Sequence, residues 1–192
     1  MLDAEILLWV RLAKGDAPGH PFRGNQYTVI GSVSDTTNQK ADGLARQVAG
    51  TVIPTKNSHM AFARRHEQLA GIHRALQMQL NEAAKTGATK KARAELRQAA
   101  DLHKAASVAH SKAASAHALI ALPQPTLPVT AEAATKLSQE AAAASDLADR
   151  QTDDGLSQAA IAEKVQAPVR NPNPKPKEQQ LEFRYDEPVP KR

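Results

Sequence analysis

The sequence predicts an all-α protein, an elongated antiparallel helical hairpin or small bundle with an extended N-terminal segment and a flexible proline-rich C-terminal arm. Three observations lead there. The 192 residues include only 3% aromatics, and alanine takes roughly a fifth of all positions, far above ordinary usage. Histidines recur every seven residues on two successive helix-forming stretches. A glycine at position 87 separates those stretches by only a few residues, so they must fold back on each other. Because buried alanine contributes less than leucine at about 25 cal/mol per Å², a thin helical assembly is expected rather than a thick core.

Residues 1–57 read as a docking helix followed by an irregular motif segment. Residues 2–14 carry Leu2, Ile6, Trp9 and Ala13 on one stripe of an amphipathic helix, which either packs on the chain itself or docks on a partner. From 15 to 57 the chain is turn-rich, with a brief extended trace at Thr28–Ile30, a short helix around Gln39–Ala49, and Pro54 closing the stretch.

Residues 58–122 form the hairpin. Ser58 is the expected N-cap of a helix running to Thr86, with Lys85 in its last turn and Gly87 just past it. Thr89 caps a second helix reaching Leu122, stopped by Pro123, Pro125 and Pro128. In 130–166, Thr130 opens a third helix with Ala134, Leu137, Ala141, Ala144 and Ala148 inward, and the Asp153, Asp154, Gly155 break leads to a short fourth. Residues 167–192 are an extended spacer. It ends in a strand-like peptide, where Leu181, Phe183 and Tyr185 alternate with charged residues and suit addition to another chain's sheet edge.

The histidine columns are the sharpest signal. His59, His66 and His73 share one face of the first long helix, and His103, His110 and His117 share one face of the second. Phe62, Leu69, Leu76 and Ala83 accompany the first column, and Leu96, Ala99, Ala106, Ala113 and Ile120 complete the second seam, marking that face as inward. Folding at residue 88 sets His73 level with His103, His66 with His110, and His59 with His117. A shift of three or four residues would instead face each histidine with an alanine. Three readings follow for such a ladder: a register-setting polar filler, a pH-responsive ladder, or a metal site. Zinc needs at least three donors in one tetrahedron; each layer offers two histidines, and Glu67 and Asp101 lie off the seam. A buried neutral histidine has its pKa lowered, so helicity of the 58–122 stretch is expected to fall between pH 8 and about pH 5.

Charge and composition narrow the function classes. No cysteine excludes disulfide scaffolds and thiolate chemistry, which fits a cytosolic or particle-borne protein. No cofactor is expected. The longest apolar run, Ile6 to Val10, is far too short to span a membrane, and Asp3 and Glu5 stand where a secretory signal is basic. The net charge of +5 is concentrated on the hairpin, while 130–166 is acidic, so the third helix should lie along it in cis or from another copy. Lys90, Arg97 and Lys104 make a basic stripe that is either a solvated helix face or a track for phosphates. No phosphate-binding glycine loop, buried carboxylate pair or serine–histidine context points to catalysis.

The segment Gly19-His20-Pro21-Phe22-Arg23-Gly24-Asn25-Gln26-Tyr27-Thr28, preceded by Lys14-Gly15-Asp16, resembles a short motif of proteins encoded by tailed bacteriophages and prophages, often near head-assembly or other virion components. It covers about a tenth of the chain. Phe22 and Tyr27 would serve as flat anchors and Arg23, Asn25 and Gln26 as directional hydrogen-bonding groups; the same residues equally suit a hydrated turn tucked onto the chain's own helices. The resemblance implies a structural virion protein, a minor head or capsid-associated component in multiple copies, assembled in the host cytoplasm and contacting other virion proteins and itself. The competing readings are a small nucleic-acid-associated protein and a histidine-rich metal binder.

Overall fold

The computed structural model describes residues 23–87, 89–122 and 129–166. They form four helices: α1 (Arg23–Gly50), α2 (Lys56–Thr86), α3 (Lys90–Ala121) and α4 (Ala131–Gln166). No strand occurs among the described residues. The helices alternate in direction around a square, with α2 beside α3, α3 beside α4, and α1 closing the ring between α4 and α2. Among the described residues, no helix is long and apolar enough to cross a membrane.

The caps explain where the helices start. Thr55 holds the N-cap of α2, its Oγ1 accepting from Ser58 N at 3.1 Å, three residues upstream of the Ser58 cap that the sequence suggests. Thr89 Oγ1 accepts from Ala92 N, and Thr130 Oγ1 from Ala133 N, both at 3.1 Å, so α3 and α4 begin where expected. Only Gly87 to Thr89 separate α2 from α3, which forces the hairpin.

Two helix assignments are corrected as well. Residues 23–50 are one helix, with neither an extended trace at Thr28–Ile30 nor an irregular approach to Gln39. Local propensity there is poor, since Thr28, Val29, Thr36 and Thr37 are β-branched and Gly31 and Gly43 are flexible. Tertiary burial decides instead: Tyr27, Ile30, Ser34, Thr37, Ala41, Leu44 and Val48 lie on one buried stripe. Thr36 and Thr37 hydroxyls donate back to Ser32 O at 2.8 Å and Val33 O at 2.6 Å, so they interrupt nothing.

Likewise the third and fourth helices are one, α4, running straight through Asp153, Asp154 and Gly155. Gly155 is buried against α3: a Cβ there would stand 3.3 Å from Leu96 N and 3.4 Å from the Glu95 carbonyl carbon. The glycine marks close backbone approach rather than a break.

Aliphatic packing is split between the ends of the bundle. Ile30, Leu76, Leu80, Leu96 and Leu156 join Tyr27 and several alanines at the α2–α3 turn, while Leu44, Val48, Phe62 and Leu69 pack between α1 and α2 toward the other end. Ion pairs do not dock α4. Arg46–Asp42, Lys85–Glu82 and Arg150–Asp146, the ion pairs among the described residues, each lie within a single helix, so the complementary charges of hairpin and α4 act at most at long range.

Candidate functional site: a histidine–hydroxyl ladder

The seven-residue spacing places each histidine column on the inner face, and the short turn sets them level. His59 meets His117, and His66 meets His110, with Nδ1 atoms 2.9 Å apart; His73 meets His103 at 2.8 Å. All six rings are buried. Rings within a layer are tilted by 34–38° with centroids 5.1–5.2 Å apart. Rings of adjacent layers stack, His66 over His117 at 5.7 Å and His73 over His110 at 5.4 Å.

The outer nitrogens reach α4. Ser138 Oγ lies 2.9 Å from His66 Nε2 and 3.0 Å from His117 Nε2. Ser145 Oγ lies 2.9 Å from His73 Nε2 and 3.0 Å from His110 Nε2. Thr152 Oγ1 lies 2.9 Å from His103 Nε2. Each hydroxyl is also within 2.8–2.9 Å of the carbonyl four residues earlier, on Ala134, Ala141 and Ala148. The alanines at those sites are fully buried; they let α4 approach closely enough for a short serine to span two imidazoles.

Sequence reasoning missed this hydroxyl column. Its signal was present: Ser138, Ser145 and Thr152 are themselves seven apart. The inward stripe expected from the sequence holds Leu137 and Ala144 in place of Ser138 and Ser145; both are only partly buried, whereas the two serines are fully buried.

Burial keeps the imidazoles neutral. It pushes His66, His73 and His110 down to about 3, aided by His110 and His117 on His66, by His103 on His73 and by His73 on His110. It pushes His103 and His117 to about 4, the latter aided by His59. His59, at the end of the ladder, is lowered by burial as well. Two nitrogens sharing a zinc ion would stand about 3–4 Å apart with each bond near 2.0–2.1 Å, and no group of three potential ligands among the described residues is placed to hold a metal. The Nδ1 contacts are hydrogen bonds.

A second polar spot lies between α1 and α4. Buried Asp149 accepts from Asn38 Nδ2 at 3.3 Å. Burial raises its pKa, Ser34 and Asn38 oppose that, and Asp153 and Asp35 add to it. Ser34 Oγ and Asp149 Oδ1 are buried without a hydrogen bond among the described residues.

The other sequence-derived sites separate. Tyr27 is buried in the chain's own core, so its ring is already engaged and does not stand out as a docking anchor. Arg23, Asn25 and Gln26 fall in the first turn of α1, while Trp9, Phe22, Leu181, Phe183 and Tyr185 lie outside the described residues. Lys90, Arg97 and Lys104 are exposed on α3. Comparison with protein-family models, curated proteins and solved structures finds no match.

Proposed function

We propose that this chain is a structural, contact-making component of a phage virion, a minor head or capsid-associated protein present in multiple copies and without turnover. The observation that carries this reading is where the chain spends its reactive side chains. Five of the six ladder histidines engage both ring nitrogens in hydrogen bonds that hold three helices together. That arrangement serves shape and register, the attributes an assembly part needs. Val52 and Ile53, 92% and 82% exposed in the α1–α2 connection, offer an apolar point of contact at one end of the bundle. The phage-like Gly19–Thr28 segment supplies the virion context.

Mass spectrometry of purified particles from a host carrying the sequence tests it. Several copies per particle are expected; recovery of the chain only outside particles overturns the proposal. A second reading, contact with packaged genome through Lys90, Arg97 and Lys104, is favoured by their shared exposure on α3 and by none of them joining an ion pair among the described residues. Duplex affinity that drops steeply between about 50 and 200 mM salt would support that reading, and salt-independent or absent binding would remove it.

A further inference from the structure

The ladder's hydrogens can be counted. A neutral imidazole carries one N–H and one lone pair, and a hydroxyl has one hydrogen to donate. Each Nδ1 to Nδ1 contact needs one hydrogen, so one ring of every pair is the Nδ1–H tautomer and its partner the Nε2–H tautomer. Ser138 and Ser145 each link two layers, which couples the choices. The path is continuous: His59, His117, Ser138, His66, His110, Ser145, His73, His103, Thr152.

All three hydroxyls lie 2.8–2.9 Å from the carbonyl four residues back, and with six neutral rings only one of them can give its hydrogen there. Ser138 and Ser145 each stand between two imidazoles whereas Thr152 touches one, so the end hydroxyl takes that place: Thr152 Oγ1 donates to Ala148 O and accepts from His103 Nε2–H. His103 Nδ1 must then accept from His73 Nδ1–H, His73 Nε2 from the Ser145 hydroxyl, and Ser145 from His110 Nε2–H. The same sequence repeats through His66, Ser138 and His117 to His59. Were Ser138 to give its hydrogen to Ala134 instead, every bond beyond it would reverse until Thr152 had to abandon Ala148. One ring nitrogen of the ladder has a lone pair with no donor among the described residues, His59 Nε2.

The His59 ring lines a cleft of about 330 Å³ between the α1–α2 connection and the start of α4, and no other ladder histidine is among that cleft's lining residues. The charged groups lining the cleft are Glu132 and Lys136 of α4; α1 and the connection contribute uncharged residues, among them Val48, Thr51 and Pro54. From α3 the ring faces His117, and from its own helix the edge of Phe62.

We propose that the ladder is a single-ended proton relay, with His59 Nε2 as its proton-accepting port and Thr152 as its closed end. A proton bound at His59 Nε2 makes an imidazolium, whose Nδ1 hydrogen passes to His117 Nδ1. The His117 Nε2 hydrogen passes to Ser138, the Ser138 hydrogen to His66 Nε2, and so on as far as His103. Only N–H and O–H bonds form and break, and one positive charge moves. Beyond Thr152 stands a backbone carbonyl, so the added proton is held in the bundle rather than conducted through it.

Long-range ¹H–¹⁵N spectra of the imidazoles in the full chain test this at pH 7.5. His59, His66 and His73 should all be Nδ1–H, and His103, His110 and His117 all Nε2–H; mixed tautomers on either helix overturn the relay. On titration toward pH 6, His59 should be the first of the six to take the imidazolium pattern, and any other ring leading refutes the port. Ser138→Ala should leave His66, His73, His103 and His110 in their tautomers while His59 and His117 become a mixture; all six unchanged would refute the coupling. Should that variant not fold, the pattern in the unaltered chain decides alone.

Discussion

Lowering the pH is the perturbation to which this bundle should respond most. A histidine whose folded pKa lies below its unfolded value stabilises the fold above the unfolded pKa, here 6.5, and that contribution is lost as pH falls toward the folded pKa. The window therefore runs from about 6.5 down to about 3–4. At pH 5 each such ring favours the unfolded chain by roughly 2 kcal/mol, at about 1.4 kcal/mol per unit. Five rings carry such shifts, His66, His73, His103, His110 and His117, and together they cost about 10 kcal/mol, within the 5–15 kcal/mol that holds an ordinary domain. Below pH 6 the stability slope should approach 7 kcal/mol per pH unit, corresponding to about five protons taken up on unfolding. Urea melts of the full chain followed by circular dichroism at pH 7.5, 6.5, 6.0 and 5.5 read this directly. The midpoint should collapse across the series, and helicity should be lost near pH 5 without denaturant. A midpoint unchanged between pH 8 and pH 5, or a slope equivalent to one proton or fewer, would refute the neutral ladder.

Other substitutions separate the contributions. Ser145→Ala strips a bond from both His73 and His110 and should cost about 2–4 kcal/mol, whereas Ser115→Ala, whose exposed hydroxyl donates only to Ser111 O, should be close to neutral; equal urea midpoints for the two would contradict the ladder. Asp149→Asn removes a buried carboxylate whose pKa is raised, a group that destabilises at neutral pH and is relieved as pH falls, so the variant should gain about 0.5–1 kcal/mol at pH 7.5. A loss of thermal stability in Asp149→Asn would show the carboxylate to be needed. Gly43→Ala has open space around it and should stabilise α1 by about 0.5–1 kcal/mol. Gly155→Ala should instead lower the melting temperature, because its Cβ would meet the α3 backbone; a rise in both would mean that α3 and α4 are not in close contact there.

The hairpin and its register were legible because two local facts constrain everything between them: a three-residue turn and a seven-residue repeat. With the turn that short, His73 and His103 have few other partners within reach. The α4 column was only half legible. Alanines at 134, 141 and 148 show which face is inward, but nothing local announces that Ser138 and Ser145 have imidazoles waiting on another helix. Helix α1 was illegible for a different reason. Thr28, Val29, Thr36 and Thr37 disfavour helix locally, and the deciding burial is against residues far away in sequence, such as Leu156 and Leu80. Gly155 misled because glycine signals both a chain break and a close approach, and only the partner backbone distinguishes them.

Histidine pairs recur once for every two turns of α2 and α3, and hydroxyls once for every two turns of α4. Insertions or deletions inside these three helices are thus quantised: a change of seven residues made in all of them at once adds or subtracts a complete rung, whereas any other length change, or one confined to a single helix, leaves imidazoles facing methyl groups. Helix α1 contributes no rung and is free of that arithmetic, so natural variation in length should concentrate there and at the connections.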